Sequence, residues 1–347
     1  MQQKTARPGA LSPPVRLPVR LAVRLAGTGH ALPANMVSSE ELDKQHGFEP
    51  GYLARLSGVQ SRPVCGDENQ IDLAVAAAEM AIAEAGIAVT DIDLVLGASG
   101  IPYQTLPATA PLVMGRLGLS EGKAAAFDVN ATCLSFLTAL DIAALKVASG
   151  ACRAALIFSS EIASRALPWQ RQPDVAALFG DGAGAAVVMP AVRGGLRASM
   201  MRTYPSGYAA CEIGAGGTRF DLQYQREAFM EHAVFSMDGK ALFRLTRRYF
   251  AAFLDDVLLA AGWARGDVDL VVPHQASPLA LQHLIIQSGL APERIVNIAA
   301  SHGNQIAASI PIALDMARKQ GRIGPGARVL MIGTSAGVSF GAIALEM

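Results

Sequence analysis

Cys133 stands between an apolar run and a helical stretch, in the segment FDVNATCLSFLTAL. This order predicts a strand, a small polar turn and a helix that begins at the cysteine. The free N–H groups and partial positive charge of a helix N-terminus favour thiolate over thiol. They can also hold the oxyanion that forms when a thiolate attacks a thioester. From these residues alone, Cys133 can be a nucleophile or a small buried hydrophobic side chain.

Two further segments place polar side chains beside apolar runs. VVPHQAS has His274 directly after a predicted strand, in a turn fixed by Pro273, and RIVNIAASHGNQIAASIP has Asn304 before a helix. A lone histidine at such a place is often structural, and a lone asparagine there can be only a helix cap. Structural and catalytic interpretations of both residues stay open at this point, while His302 is interpreted as part of the scaffold.

An internal repeat positions these three residues. The segment IAEAGIAVTDIDLVLGAS resembles LLAAGWARGDVDLVVPHQAS, so that Asp93 and Asp269 correspond at a separation of 176 residues (269 − 93). Gly150 and Gly326, in SGACRAALIFSS and PGARVLMIGTS, have the same separation (326 − 150). Matching separations at two places indicate a duplicated structural unit.

The repeated stretches predict an α/β unit in each half. Their nearly continuous apolar runs are typical of strands buried on both faces, with helices above and below. Residues 134–149 and 307–319 predict helices with Ala-rich faces, and FGDGAGAAVVM and AGVSFGAIALEM predict further strands. We expect two α/β halves that are related by a pseudo-twofold axis and meet helix on helix.

The predicted division of the chain follows from this repeat. Residues 1–18 are expected to be a disordered lead-in, residues 19–192 the first half with Cys133, and residues 193–347 the second half with His274 and Asn304. Ligands of open α/β units sit at the carboxyl ends of strands, and we predict that Cys133 follows the strand AAAFDV, His274 ends DLVVP and Asn304 follows the strand RIVNIA. The reaction centre should therefore lie at the seam between the halves.

The composition excludes several classes of protein. The 347 residues are 51% hydrophobic, and 29 basic residues balance 29 acidic ones, which argues against nucleic acid as the main partner. The four cysteines form no CxxC pair, so a structural zinc site or disulfide framework is not expected. No apolar run reaches the ~18 residues of a membrane span, and the expected location is the cytoplasm.

The motifs resemble those of the β-ketoacyl-acyl-carrier-protein synthase III family, within the thiolase superfamily. PHQAS and HGNQIAASIP are similar to the family's PHQAN and HGNTSAASVP, and NATCLSF stands where the family has its cysteine motif. FGDGAGAAVV and the MDG of SMDGKALF also agree, and the resemblance extends from about Val19 to Met347. It implies an α/β thiolase fold, a five-layered αβαβα arrangement of two pseudo-twofold-related halves, in a homodimer.

The resemblance also implies a mechanism without a metal or other cofactor. Cys133 would take an acyl group from acyl-CoA, with backbone N–H groups of Cys133 and Ala336 as the oxyanion hole. A malonyl thioester, usually on acyl carrier protein, would then bind. His274 and Asn304 would stabilise the enolate left when carbon dioxide departs, and its carbanion would attack the acyl-cysteine to give a 3-oxoacyl product.

Further residues are assigned to the substrate by the same resemblance. The family's Trp and Arg at the coenzyme A site become Tyr52 and Leu56, and a basic residue that docks the carrier becomes Leu279. The residues expected to bind coenzyme A or substrate are Tyr52, Arg165, Gly239, Ala276 and Ser277.

The acyl pocket departs from the family at two of its three predicted residues. Leu106 replaces a Phe that the dimer partner contributes, and Thr334 puts a hydroxyl where an aromatic ring usually stands; Phe243 is the third. A smaller side chain at residue 106 leaves room for a longer or bulkier acyl group. We expect a specialised synthase that does not use acetyl-CoA as its starter.

Other activities remain open from the sequence. The chain could be a related acyltransferase of secondary metabolism that passes the acyl group to an alcohol or amine, although Asn304 is then without a use. It could condense two acyl-CoAs without decarboxylation, which needs a general base, and Glu161 is a candidate. It could be a silent subunit, which should lack Cys133 or His274. A nucleotide-binding interpretation of GDGAGA fails because the GxGxxG spacing is absent.

Overall fold

The computed structural model describes residues 20–347, and the predicted disordered lead-in at residues 1–18 lies outside them. The strands are β1 (Val23–Ala31), β2 (Met36–Ser38), β3 (Ser61–Pro63), β4 (Leu94–Gly97), β5 (Ala125–Asp128), β6 (Ala155–Glu161), β7 (Gly182–Pro190), β8 (Gly195–Thr203), β9 (Cys211–Glu212), β10 (Ser236–Met237), β11 (Leu270–Pro273), β12 (Arg328–Ser335) and β13 (Ser339–Glu346). The helices are α1 (Ser39–His46), α2 (Tyr52–Ser57), α3 (Gln70–Ala85), α4 (Thr109–Arg116), α5 (Ser135–Ala148), α6 (Pro173–Ala176), α7 (Arg226–His232), α8 (Gly239–Ala261), α9 (Pro278–Ser288), α10 (Ala299–His302) and α11 (Ser309–Lys319).

Two mixed sheets repeat one topology. The first has five strands in the order β1, β7, β6, β4 and β5, and the second has four in the order β11, β12, β13 and β8. β6, β4 and β5 run parallel, while β1 and β7 pair antiparallel. In the second sheet β11 and β12 are parallel, and β13 and β8 pair antiparallel. The strands β8, β13, β12 and β11 thus correspond to β1, β7, β6 and β4, as the predicted pseudo-twofold relation requires.

Helices lie between and outside the two sheets. α5 and α11 share one apolar core with strands of both sheets, so they form the middle layer. α3 and α4 cover the outer face of the first sheet. α8 covers the outer face of the second sheet and packs beside α9. The five layers alternate as αβαβα, which confirms the predicted architecture.

Small side chains let the middle layer pack on both sheets at once. Ala139 and Ala143 of α5 and Ala313 and Ala317 of α11 are fully buried, each pair four residues apart on one helix face. The approach of α3 to β1 is closer still, because a Cβ atom at Gly29 would lie 2.3 Å from the carbonyl oxygen of Ala77. Only glycine fits there without displacing the helix.

The repeated aspartates make the same contact in each half. Asp93 accepts a hydrogen bond from the backbone N–H of Arg153 at 2.9 Å, and Asp269 accepts one from the N–H of Arg328 at 2.8 Å. Each carboxylate thereby fixes the start of the strand that neighbours β4 or β11. All residues of β4 and β11 are buried. The expectation of doubly buried strands in the repeat is confirmed.

The connection between the sheets is short. β7 ends at Pro190 and β8 begins at Gly195, so the proposed division between residues 192 and 193 falls in this connection and stays a prediction. Within residues 20–347, no helix is both long and apolar enough to cross a membrane.

Candidate active site

Cys133, His274 and Asn304 line one cavity of about 1270 Å³. Cys133 comes from the first half of the chain, and the other two come from the second half. The cavity therefore lies where the two halves meet, with most of its lining apolar. The structure brings together the three residues that the sequence motifs singled out.

Cys133 lies in a 3-10 turn, Thr132–Leu134, between β5 and α5. The helix itself begins two residues later than predicted, at Ser135. Thr132 has φ of 51°, a left-handed conformation that is costly for a β-branched residue. Its N–H donates to Asn130 Oδ1 at 2.8 Å, and its hydroxyl donates to the carbonyl oxygen of Ala336 at 3.4 Å. These bonds hold the turn so that Cys133 faces the cavity.

The surroundings of Cys133 oppose its predicted preference for the thiolate. Burial raises the pKa of the Cys133 thiol well above its ordinary value, and the nearby groups Cys211 and Glu161 raise it further. Hydrogen bonds from the backbone of Ala336 and of Cys133 itself lower the pKa but do not compensate. The backbone N–H groups of Ala336 and Cys133 offset only part of the cost of desolvating a thiolate, and their role as oxyanion donors stays a prediction.

His274 follows β11 and is held by a serine. Its Nδ1 lies 2.7 Å from the hydroxyl of Ser309, which also accepts the backbone N–H of Gln275 at 3.2 Å. The serine proton needs an acceptor, and Nδ1 is the one within reach, so the network assigns the ring proton to Nε2. Burial lowers the pKa of His274 to about 4, and the ring is therefore neutral near pH 7.

Hydrogen bonds of both its side-chain amide and its backbone hold Asn304 in place. Its Oδ1 accepts the N–H of Ile306 at 2.8 Å, and its Nδ2 donates to the carbonyl oxygen of Ala276 at 3.2 Å. One N–H of the amide remains for a ligand in the cavity. The backbone of Asn304 also exchanges hydrogen bonds with the 178–180 segment of the first half, where its N–H donates to Leu178 and its carbonyl accepts from Gly180.

The residues before Asn304 differ from the prediction in one respect. RIVNIA does not form a strand, because within it Ile295 makes only an isolated bridge with Val271, and the short helix α10 follows. Gly303 then turns the chain with φ of 67°, and a Cβ atom there would lie 2.6 Å from the carbonyl oxygen of Leu178. The glycine of this motif is needed because the two halves approach so closely.

Most of the other predicted site residues line the cavity. They are Ala336, Gly239, Ala276, Ser277, Phe243 and Thr334.

Tyr52, Arg165 and Leu106 do not line this cavity. Tyr52 stacks on Phe48 with ring centroids 4.9 Å apart, and Arg165 is exposed. Leu106 is 83% exposed, on a loop outside the cavity. Their roles toward coenzyme A and the acyl group stay predictions. Glu161, the candidate general base, is fully buried and does not line the cavity either.

The sequence motifs did not reveal two side chains of this site. Cys211, from the short strand β9, faces the same cavity as Cys133. Ser309 orients His274 and is the first residue of α11, as Ser135 is of α5, 174 residues earlier (309 − 135). The internal repeat could have indicated Ser309, whereas nothing in the sequence around Cys211 marks it. In the described part of the chain, no three His, Cys, Asp or Glu side chains are grouped to hold a metal ion.

Comparisons of this chain with known proteins all lead to the same family. The family described as 3-oxoacyl-[acyl-carrier-protein (ACP)] synthase III matches residues 127–205, and the description of its C-terminal part matches residues 258–347. A β-ketoacyl-[acyl-carrier-protein] synthase III of Rhizorhabdus wittichii is 37% identical over 324 residues, covering 92% of this chain and 98% of the relative.

Solved structures agree with the sequence relatives. The crystal structure of 3-oxoacyl-[acyl-carrier-protein] synthase III from Aquifex aeolicus superposes with a TM-score of 0.84 at 30% identity, covering 94% of this chain and 100% of that one. The priming β-ketosynthase of the R1128 polyketide biosynthetic pathway superposes with a TM-score of 0.85 at 29% identity, covering 96% and 99%.

Proposed function

Because this chain belongs to the 3-oxoacyl-[acyl-carrier-protein] synthase III family of acyltransferases, we propose that it condenses an acyl group from acyl-CoA with a malonyl thioester. The acyl group first forms a thioester with Cys133. Decarboxylation of the malonyl thioester, delivered on acyl carrier protein, then gives a carbanion that attacks this thioester. The observation that carries the proposal is the meeting of Cys133, His274 and Asn304 at one cavity.

The first half-reaction uses the thiol form of Cys133. The sulfur attacks the carbonyl carbon of acyl-CoA, and the backbone N–H groups of Cys133 and Ala336 hold the developing oxyanion. Collapse of the intermediate breaks the bond to coenzyme A, whose sulfur takes up the proton that Cys133 loses. A half-buried thiol with a raised pKa is slow to react with water-borne electrophiles, so its reactivity depends on a substrate that fills the cavity.

The second half-reaction uses two neutral donors. The N–H at Nε2 of His274 and the spare N–H of Asn304 are proposed to bind the thioester oxygen of the malonyl group. They stabilise the enolate as the carbon dioxide leaves. A neutral histidine suits this task, because burial lowers its pKa to about 4 and it stays a hydrogen-bond donor at pH 7. The enolate carbon then attacks the acyl group and releases Cys133.

Neither competing activity gains support from the site. Transfer to an alcohol or amine gives Asn304 no reaction to perform, yet its amide is fixed by two hydrogen bonds. Condensation of two acyl-CoAs without decarboxylation needs a base at the α-carbon, and Glu161 lies outside the cavity lining. The retained Cys133 and His274 argue against a silent subunit.

The starter is proposed to be larger than acetyl. The cavity of about 1270 Å³ has room for such a starter together with the arm that carries it. Its lining includes Thr334 and several apolar side chains, and the half-exposed Phe243 lies beside His283. A specialised pathway, such as one that makes a secondary metabolite, would need such a starter.

A panel of acyl-CoAs tests both the function and the starter. We expect longer or branched acyl-CoAs to acylate Cys133 at least about tenfold faster than acetyl-CoA, because added methylenes gain contacts with the apolar lining. Mass spectrometry of the intact protein measures the adduct, and malonyl-dependent release of carbon dioxide measures condensation. Fastest acylation by acetyl-CoA would refute the proposed starter, and adducts without carbon dioxide release would refute condensation.

A homodimer is proposed from the edge of the first sheet. β5 is the outer strand, and Phe127 on it is 37% exposed. An unpaired edge with an exposed aromatic side chain is suited to pairing with the same edge of a second copy. The exposed Leu106 could then reach the partner's acyl pocket. Light scattering should give twice the mass of one chain, and Phe127→Glu should give the single mass; a monomeric wild type would contradict the proposal.

A further inference from the structure

Glu161 is a buried carboxyl group that the proposed mechanism does not use. It ends β6, is fully buried, and has backbone N–H groups as its hydrogen-bond partners. Gly100 and Ile101 donate to it from the loop after β4, the latter at 3.2 Å. The backbone of Ala307, in the turn before α11, lowers the pKa of this carboxyl group, but burial outweighs that effect. Within residues 20–347 no cation pairs with it, which is a costly environment for a charge.

The turn that Glu161 binds is the counterpart of the Cys133 turn. Ile306 has φ of 49° and begins a 3-10 turn before α11, as Thr132 with φ of 51° begins the turn before α5. Their separation of 174 residues (306 − 132) makes Ala307 the equivalent of Cys133. The Ala307 N–H thus corresponds to the Cys133 N–H that is proposed to hold a substrate oxyanion. In the second half this N–H acts on the protein's own carboxyl group, that of Glu161.

Glu161 also lies close to the Cys133 turn. A Cβ atom at Gly100 would lie 3.3 Å from Glu161 Oε1, 3.4 Å from the carbonyl carbon of Thr132 and 2.6 Å from Ile306 Cγ2. Both turns and the carboxyl group therefore meet around one glycine. The titratable groups that act on Cys133 are Cys211 from β9 and Glu161 from β6, while His274 is neutral. The other groups bound to Glu161 are backbone N–H donors.

We infer that Glu161 is a positioning residue that joins the two turns, and that its ionisation opposes the ionisation of Cys133. The inference rests on the proposed role of Cys133 as the nucleophile. The Glu161 carboxyl group is bound to the loop after β4, where Gly100 packs against Thr132 and Ile306, so it holds the start of α11 near the Cys133 turn. Two like charges in one dry region disfavour each other, so the carboxylate suppresses the thiolate. Burial raises the pKa of Glu161 to about 8, which places its titration below that of the thiol.

The test measures the pH dependence of Cys133 alkylation by iodoacetamide. Peptide mass spectrometry reports the rate at this cysteine alone, so the result does not depend on condensation activity. Glu161→Gln should lower the midpoint of the alkylation profile by about one pH unit, which is about tenfold faster alkylation on the rising limb. A change that only loosened the packing would not move the midpoint downward at an unchanged melting temperature.

The matched control is Asp43→Asn. Asp43 is also a buried carboxylate that accepts two backbone N–H groups, those of Gly51 and Leu53, but it does not act on Cys133. Its variant should keep the wild-type midpoint. If Glu161→Gln does not fold, Glu161→Asp withdraws the carboxylate by one methylene and should shift the midpoint by a smaller amount in the same direction. A wild-type or higher midpoint in the folded variant overturns the inference. Failure of the acyl-CoA panel would leave this measurement intact.

Discussion

Asn304→Ala is expected to slow the decarboxylation of the malonyl thioester by about 10²–10³-fold, while acylation of Cys133 stays within a few-fold of wild type. The variant removes one of two neutral donors to the enolate, and loss of one such donor costs about that factor. The first half-reaction does not use this amide. Carbon dioxide release and the mass of the acylated protein measure the two half-reactions separately.

Two further variants distinguish the role of the Asn304 amide as a hydrogen-bond donor from a role in holding the local structure. Asn304→Asp keeps the oxygen that accepts the N–H of Ile306 but removes both N–H groups, so it should lose decarboxylation as well. Asn297→Ala removes an exposed asparagine that accepts the N–H of Ala299 outside the cavity, and it should behave as wild type. Equal loss of both half-reactions in Asn304→Ala would contradict the role assigned to its amide.

Cys133→Ala is expected to abolish the acyl adduct with every acyl-CoA, because the thioester can no longer form. His274 and Asn304 keep their positions, so the variant should still release carbon dioxide from the malonyl thioester without making a 3-oxoacyl product. Intact-protein mass spectrometry measures the adduct, and product analysis measures condensation.

The control for this variant is a second cysteine, which is buried outside the cavity lining. Cys152→Ala removes a sulfur whose hydrogen donates to the carbonyl oxygen of Ala154, away from the cavity, and it should leave acylation unchanged. An adduct that persists in Cys133→Ala would mean that the nucleophile is a different residue. Cys211, which faces the same cavity, would then be the first to replace.

The sequence was sufficient to predict the architecture and the meeting of the three side chains. The repeat of Asp93 and Asp269 marks equivalent strands, and continuous apolar runs mark those strands as buried on both faces. Once the halves are related by a pseudo-twofold axis, strand ends from each half must meet at the seam. The predicted helices at α5 and α11 and the strands β7 and β13 follow from the same local patterns.

The pKa, the tautomer and the cavity position of a side chain depend on residues distant in the chain, and they could not be predicted from local sequence patterns. The position of Cys133 before a helix indicates a lowered pKa, but burial raises it, and so do Cys211 and Glu161, which are distant in the chain. The hydroxyl of Ser309 decides the tautomer of His274 from 35 residues away. The absence of Tyr52 and Arg165 from the cavity lining depends on how α2 and the segment after β6 pack, for which the sequence carries no periodic signal.

Substitutions in the middle helix layer affect both the stability of the core and the geometry of the reaction centre. α5 begins at the turn that carries Cys133, and α11 begins at the turn that follows Asn304. Both helices belong to the one core that the two sheets share. A substitution that shifts either helix along its axis therefore moves a reacting group as well as loosening the core. Residues such as Ala143 and Ala317 should therefore vary little during evolution, since a substitution there lowers both the amount of soluble protein and the catalytic rate. The outer helices α3 and α4 can diverge more freely, because they do not line the cavity and their movement leaves the spacing between the two turns unaltered.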